Sequence, residues 1–314
     1  MAKKPKYRKG ERWGRNYIDR RDWKKENEKY VVRGEFLIDL DFAEQWDNEV
    51  EIMNRNKVGG QFVFPNSLIE LQAVWNQWIG VRQVKGITRR LFSIGQLPGY
   101  NDFSTINRRI RQIDTTIQLP KVGFCSVSTD GTGIKMHHAG EYRQMKYKGK
   151  KRRWIKVVIS ANPMTKELLD VEVSLDGEGK SEPEIAEQHL NMLWSFGYAV
   201  DKFWGDGAFD TISLFNLLEE HGTESAIPPR DNASGNANGS MRRAREVAEY
   251  QLQPWDAWAR NKQYGKRWLG TEGMISAVKC IFGEDTKAKN AENACLEAER
   301  KFWAYDKMQK YAAT

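Results

Sequence analysis

Cysteine, histidine and long apolar runs are all scarce in this sequence. Its 314 residues include 3 cysteines and 4 histidines. The cysteines form no Cys-x-x-Cys pair, and their odd number and wide spacing suit a reducing cytosol. His137 and His138 are adjacent, and adjacent side chains on a strand point to opposite faces, so we expect no structural zinc site there.

The same scarcity excludes several classes of protein. No apolar run approaches the roughly 18 residues that a membrane span needs, and the basic N-terminus lacks the apolar segment of a secretory signal. The chain has no Gly-x-x-x-x-Gly-Lys-Ser/Thr loop to hold phosphates, so we expect no ATP-driven motor. We therefore expect a cytoplasmic protein without a membrane partner.

Positive charge, by contrast, is abundant and concentrated at the N-terminus. The net charge is +8 at pH 7, and residues 1–33 alone hold 13 Lys and Arg against 5 Asp and Glu. Aromatic side chains interleave with these charges, at Tyr7, Trp13, Tyr17, Trp23 and Tyr30. This composition is typical of contact with nucleic acid backbone and bases. A tail that packs loosely on its own protein has the same composition and is the alternative.

Two helical regions are predicted before Pro120. Residues 1–64 form a basic arm and a helix, with an apolar stripe between residues 34 and 58. Residues 65–119 form a second region in which a break at Gly86 separates two helices, and a turn then leads to a third.

The third of these predicted helices is basic. The predicted order is a helix, a break, a second helix, a turn and a basic helix that begins at a Ser/Thr pair. This order is the outline of a helix-turn-helix. We therefore predict that residues 65–119 bind DNA through Arg108, Arg109 and Arg111. An ordinary helical bundle with a solvated basic face is the alternative.

Residues 120–314 are predicted to form a mixed sheet flanked by helices. The order is three strands, helix, strand, helix and strand, and the second and third strands form a hairpin. This order matches the ribonuclease H topology better than a doubly wound parallel sheet. The predicted fold class is α/β, a ribonuclease H-like catalytic domain preceded by the all-α region, with a small insertion at about residues 231–262.

A polar turn follows the predicted fourth strand. An apolar run from Tyr198 to Trp204 leads into Gly205-Asp206-Gly207, where small residues allow a tight turn, and Asp210 lies where a helix N-cap belongs. Asp130 ends the predicted first strand. Since the first and fourth strands are neighbours in a sheet of this order, we expect Asp130 and Asp206 to meet.

A third acid is expected from a helix beside the same edge. Glu272 begins a predicted helix that runs to Phe282, and Glu272, Ser276 and Lys279 fall on one face of it. Three hard carboxylates without Cys or paired His ligands select Mg²⁺ or Mn²⁺. Two such ions can activate a water or a 3′-hydroxyl for displacement at phosphorus. An exposed ion pair between Glu272 and Lys279 is the alternative.

These residues resemble the motifs of bacterial and archaeal insertion-sequence DDE transposases. The segment 128–135 resembles the first-Asp motif, 205–210 the second-Asp motif, and 272–283 the helix of the third acid. Three further segments match, 226–230, 31–35 and 100–109, and the last two look like the insertion-sequence-five group. The resemblance spans about residues 30–284, and all the motifs occur in order.

The resemblance also implies roles for particular residues. Asp130, Asp206 and Glu272 would be the catalytic residues and would bind two Mg²⁺ or Mn²⁺ ions. The family places Tyr, Arg, Glu and Lys in order, which implies DNA contacts by Tyr264, Arg267 and Lys279. Many relatives have the arginine at the position of Trp268, so the gap from Arg267 to Glu272 is one residue longer here.

A function follows from the same resemblance. It implies a transposase that binds the terminal inverted repeats of an insertion sequence, cleaves the ends and joins the 3′ strands to target DNA. Its partners would be double-stranded DNA and a second copy of the chain in a synaptic complex, in the nucleoid of a bacterium or archaeon. A non-catalytic DNA-binding derivative and another ribonuclease H-like nuclease are the alternatives.

Overall fold

The computed structural model describes residues 22–119, 123–137 and 154–313, together with the backbone of Glu11–Arg12 and Arg15–Asn16. Those two segments pair as a short antiparallel ladder. The predicted roles of Tyr7, Trp13 and Tyr17, and the prediction for His138, lie outside the described residues. Among the described residues, no helix combines the length and the apolar character that a membrane span requires.

A five-stranded mixed sheet forms the centre of the fold. Its strands are β1 (Phe124–Lys135), β2 (Trp154–Asn162), β3 (Glu167–Leu175), β4 (Ala199–Trp204) and β5 (Glu224–Ala226). The spatial order is β3-β2-β1-β4-β5. The pairs β1–β2 and β2–β3 are antiparallel, whereas β1–β4 and β4–β5 are parallel. This topology confirms the predicted ribonuclease H-like sheet.

Strand β1 is longer than predicted, because it does not end at Asp130. Gly131 and Gly133 stay extended and pair with Val158 and Lys156 of β2. A side chain on Gly133 would lie 2.9 Å from the Trp154 ring, so the indole packs where that side chain would be. Asp130 therefore lies inside a paired strand, which holds its backbone rigidly.

In the described residues before the sheet, the α-helices are α1 (Trp23–Glu35), α2 (Trp46–Asn54), α3 (Asn66–Trp75), α4 (Val81–Ser93) and α5 (Phe103–Ile110). The predicted break at Gly86 is wrong, because α4 runs through it and the break lies at residues 76–80. A glycine inside a helix costs only about 1 kcal/mol, and the buried side chains of Val84 and Thr88 hold this part of α4 in the core.

The remaining helices flank the sheet. They are α6 (Glu182–Ser195), α7 (Ile212–Glu220), α8 (Met241–Gln251), α9 (Trp255–Asn261), α10 (Gly273–Phe282) and α11 (Ala291–Tyr311). Helices α8 and α9 occupy the predicted insertion at about residues 231–262. A π-helical turn, Trp268–Glu272, directly precedes α10.

One hydrophobic core joins the N-terminal helices to the sheet. It contains Ile69 and Ile106 from the helical region, Ile155 from β2 and Phe302 from α11, all with 0% exposure. Helix α11 packs against α3 as well as β2 and β3. The boundary predicted at residues 119 and 120 is therefore not a break between two cores.

Candidate active site

Asp130 in β1 and Asp206 in the turn after β4 lie at matching positions of two neighbouring chain segments. In the parallel ladder of β1 and β4, Ser128 pairs with Trp204, and Asp130 and Asp206 each follow two residues later. The Asp206 carboxylate accepts a 2.8 Å hydrogen bond from the Ala208 N–H at the start of a 3₁₀ turn. A side chain on Gly205 would lie 2.8 Å from the Phe209 ring, so this turn requires glycine.

Asp210 stabilises this turn through a buried ion pair and hydrogen bonds. Its side chain has 0% exposure and accepts two hydrogen bonds from Arg243 of α8, at 2.6 and 2.9 Å. It also accepts the Arg230 N–H at 3.0 Å, and the Arg230 guanidinium donates to the carbonyls of Gly207 and Ala208. The predicted N-cap role of Asp210 is wrong, since Thr211 caps α7 and Asp210 is used in this buried ion pair.

The third acid, Glu272, ends the π-helical turn. A π turn accommodates one residue more than an α turn and recurs at functional sites. It absorbs the additional residue between Arg267 and Glu272, and their side chains form an ion pair. A side chain on Gly270 would lie 3.1 Å from Ser128 Cβ, so the turn packs directly on β1 beside Asp130.

Arg267 joins two of the three acids. Besides its ion pair with Glu272, it donates to Asp130 Oδ2 at 3.2 Å, and its guanidinium lies 5.6 Å from the centre of the Tyr264 ring. Burial raises the pKa of Asp130 to about 6, against the lowering effect of Arg267, while Asp206 and Glu272 raise it further. Burial also raises the pKa of Tyr264 to about 12. The site is thus a strongly coupled group of charges.

An open cavity of about 460 Å³ lies in front of these acids. It is lined by Asp130, Gly131, Glu272, Ile275, Ser276, Lys279, Cys280 and Glu284. The alternative of a Glu272–Lys279 ion pair is not what the structure contains, because Glu272 pairs with Arg267. Within the described part of the chain, the Lys279 ammonium has no ion-pair partner and faces the cavity.

The acids suit a hard divalent cation, although their side chains do not surround one. Among the described residues, no three His, Cys, Asp or Glu side chains are arranged so that they could hold a metal ion. The Arg267 guanidinium contacts both Asp130 and Glu272. The guanidinium is itself the positive charge that bridges these two carboxylates. Carboxylate oxygens without nitrogen or sulfur donors match Mg²⁺ or Mn²⁺. As placed here, Asp130 and Glu272 are bridged by Arg267, and the acids do not surround a metal ion.

The three arginines predicted to bind DNA, two in α5 and one directly after it, lie in two different environments. Arg108 and Arg111 are exposed. Arg109 is 8% exposed, donates to the Phe64 carbonyl and to Asn66 Oδ1, and lies over the Phe62 ring. These contacts favour a structural role for Arg109.

A series of buried polar side chains in contact with one another packs against the face of β1 opposite the Asp130 side chain. Thr129 Oγ1 lies 2.8 Å from Ser160 Oγ, which lies 2.8 Å from His189 Nδ1, and His189 Nε2 lies 3.5 Å from Asp170. Burial lowers the pKa of His189, which favours its neutral form. Ser160 has 0% exposure, so this Ser-His-Asp arrangement orients the residue before Asp130 and does not present a nucleophile.

Glu182, the first residue of α6, is a further acid beside β1 that the sequence does not indicate. A Cβ placed on Gly131 would lie 2.6 Å from the Glu182 carboxyl carbon. Burial raises the pKa of Glu182, and repulsion from Asp206 raises it further. The capping box formed by Ser181 and Glu184 marks this helix start in the sequence, but nothing local shows that it meets β1.

Comparison with known proteins identifies related families. Two family models, each described as a transposase DDE domain, match residues 124–294 and 31–139. No curated protein sequence matches the chain. Among solved structures, the piggyBac transposase synaptic complex with hairpin DNA aligns with a TM-score of 0.41 and 13% identity, over 91% of this chain and 75% of that chain. That likeness is too low to carry an argument.

Proposed function

Because the chain belongs to the family of transposase DDE domains, we propose that it binds the terminal inverted repeats of an insertion sequence, cleaves the ends and transfers the 3′ strands to target DNA. The observation that carries this proposal is the position of Asp130 and Asp206 at one level of the sheet, with Glu272 linked to Asp130 through Arg267. Membership of the insertion-sequence-five group stays a prediction.

Asp130, Asp206 and Glu272 are the proposed catalytic residues and metal ligands. Two Mg²⁺ or Mn²⁺ ions bound there would activate the attacking oxygen and stabilise the leaving oxygen. The protein residues would orient the scissile phosphate against the acids and keep it in the open cavity. Arg267, once released from Asp130 and Glu272, would bind a phosphate oxygen through its planar fork.

The proposal is tested by plasmid cleavage with Mg²⁺, on a plasmid that carries the terminal inverted repeats and on one that lacks them. A transposase cuts only the first plasmid, at the repeat ends, and joins 3′ ends to a target. A ribonuclease H-like nuclease of another kind cuts both plasmids alike. A non-catalytic DNA-binding derivative shifts the repeat DNA in a gel and cuts neither, which would contradict the proposal.

Lys279 is proposed to contact the phosphate beside the scissile bond. We expect Lys279→Ala to reduce cleavage about 10-fold or more, because a charge-assisted contact contributes about 1.5–3 kcal/mol. Metal binding should persist, since a protonated lysine is not a metal ligand. The measurements are the cleavage rate and Mn²⁺ binding. Lys279→Arg should restore much of the loss, and a rate for Lys279→Ala within about twofold of wild type would contradict the assignment.

Arg108 of α5 and Arg111, the residue directly after the helix, are proposed to contact inverted-repeat phosphates. We expect Arg108→Ala and Arg111→Ala each to weaken binding and to lower the slope of log affinity against log salt by about one. The buried Arg109 gives a matched comparison, since Arg109→Ala should lower thermal stability through lost contacts to Phe64 and Asn66. A double Arg108/Arg111 variant with unchanged affinity and salt slope would place the DNA interface elsewhere.

Two copies of the chain are proposed to act together, one at each end of the element. The two ends must be held close for coupled joining, and a homodimer in the synaptic complex does this. Light scattering of the protein with inverted-repeat DNA should give two chains for two DNA ends. We further propose that the protein works at the nucleoid of a bacterium or archaeon.

A further inference from the structure

A glycine lies in the middle of α4, at a position where the fold gives no reason for one. Gly86 is exposed, and a Cβ placed on it would meet no heavy atom within 4 Å. Glycine weakens a helix interior relative to alanine, because it loses more conformational freedom on folding. Val84 and Thr88 are buried two residues to either side of it. Since two residues rotate a side chain by about 200°, position 86 points away from the core.

Arginines surround Gly86 on the same face of α4. Side chains three and four residues apart are neighbours on a helix. Arg82 lies four residues before Gly86, and Arg89 and Arg90 lie three and four residues after it. All three arginines are exposed. A position without a side chain thus has one guanidinium a turn before it and two a turn after it, and we call this group the α4 notch.

The charge of the α4 notch is not neutralised by nearby acids. Residues 71–113 contain 7 Lys and Arg and one acid, Asp102. Asp102 is paired with Lys85 at 2.6 Å, so Lys85 links α4 to the start of α5. The Arg82 guanidinium lies 4.8 Å from the centre of the Phe103 ring, an apolar support that leaves its charge uncompensated. Among the described residues, no acidic side chain forms an ion pair with an arginine of the α4 notch.

We propose that the α4 notch binds the phosphodiester backbone of duplex DNA. Arg82, Arg89 and Arg90 would donate to phosphate oxygens, whose geometry the planar guanidinium matches. Glycine is the residue that allows a ligand to approach a backbone closely, so Gly86 would let the DNA strand lie directly against α4. The inference rests on the proposed function, because it takes DNA as the partner. It adds a second contact helix beside α5.

The sharpest test is Gly86→Leu, because its effects on stability and on binding are expected to be opposite. Leucine is a good helix former, so the unfolding temperature should rise by about 1–3 °C. The added side chain would hold the strand away from the arginines, so DNA affinity should fall about tenfold or more. Gly86→Ala should show the same two effects, with a smaller loss of affinity. The measurements are thermal unfolding and fluorescence anisotropy of labelled duplexes.

The matched control for the glycine is Gly34→Ala. Gly34 is also an exposed helical glycine, in α1, and a Cβ on it would likewise meet nothing within 4 Å. This variant should become more stable and bind DNA as wild type does. If Gly86→Leu also keeps wild-type affinity, the glycine has no ligand and the inference is overturned.

The arginines are tested on two duplexes of equal length, one with the inverted repeat and one of unrelated sequence. Arg82→Ala and Arg89→Ala should each lower the slope of log affinity against log salt by about one. The loss should be equal on both duplexes, because phosphate contacts carry no sequence information. Arg55→Ala removes the same charge from an exposed position after α2, whose first turn holds Asp47 and Glu49. That control should leave the slope unchanged.

The remaining outcomes separate this inference from the proposed function. A loss confined to the inverted-repeat duplex would mean that α4 contacts bases, against a phosphate contact. Normal binding and normal cleavage of repeat ends by the Gly86 and Arg82 variants would overturn the inference alone and leave the proposed function in place. If wild type binds neither duplex, both fail.

Discussion

Replacing Asp206 by asparagine is expected to abolish DNA strand cleavage and to leave binding of inverted-repeat DNA within about twofold of wild type. Asparagine can still accept the Ala208 N–H that Asp206 accepts, so the turn after β4 keeps its shape. It removes the negative charge that a divalent cation requires. Loss of metal-based charge stabilisation is worth several kcal/mol, and about 4 kcal/mol corresponds to about a thousandfold in rate.

DNA binding should persist, because carboxylates repel phosphates and therefore contribute nothing to the affinity for the DNA backbone. The experiment compares cleavage of a labelled inverted-repeat end with its retention in a gel, for Asp206→Asn and for Asp206→Ala. Asp130→Asn and Glu272→Gln should behave alike. Glu249 is the control, since it is an exposed acid that pairs with Lys262, and Glu249→Gln should cleave normally. Cleavage by Asp206→Asn near the wild-type rate would remove Asp206 from the site.

The second large effect is expected on stability, from Asp210→Ala. The Asp210 carboxylate has 0% exposure and its two oxygens accept from Arg243 at 2.6 and 2.9 Å. Removing one partner leaves a guanidinium that is only 16% exposed without its counter-charge. Breaking such a pair costs about 3–5 kcal/mol. We therefore expect a clear fall in the urea midpoint of unfolding, together with reduced cleavage, because Arg230 and the turn after Asp206 lose their support.

A second arginine–acid pair, between α8 and α7, provides the comparison. Arg245 of α8 pairs with Glu219 of α7, but both side chains are exposed. An exposed pair contributes under about 1 kcal/mol, so Glu219→Ala should change the midpoint little. Equal shifts from Asp210→Ala and Glu219→Ala would contradict the claim that burial of the pair decides its contribution.

The sheet was predictable because local patterns record it. Apolar strands, turn residues and the hairpin appear directly in the sequence, and strand order then followed from chain order. The end of β1 was predicted wrongly, since Gly131 and Gly133 suggest a turn when read alone. Their extended conformation depends on pairing with β2 and on the Trp154 ring, which are contacts at long range.

Helix α11 was missed for a related reason. Glu297, Arg300, Lys301 and Asp306 are all buried in it, so no apolar stripe separates from a polar face. Lys301 donates to the Phe282 carbonyl, and Glu297 accepts the N–H groups of Lys287 and Ala288. Such charges are satisfied by partners that the local sequence does not indicate.

The sequence predicted that Asp130 and Asp206 lie close together on neighbouring strands, but it did not predict how Arg267 and Glu272 meet. The one-residue longer gap between Arg267 and Glu272 gave no indication of how both side chains meet. The π-helical turn at Trp268–Glu272 provides the answer, since it places them together. The position of Glu182 beside β1 was not predicted, because it depends on the packing of α6 against β1, which no local sequence pattern indicates.

The shared core has a consequence for how the chain folds as it is made. Ile69 and Ile106 are buried in a core that also requires Phe302 of α11. At about 5–20 residues per second, the ribosome needs roughly 10–40 s after residue 119 to deliver that helix. Throughout this interval the N-terminal helices hold an incomplete core. We expect a chain truncated before α11 to leave the N-terminal helices without a complete core and to lower their thermal stability.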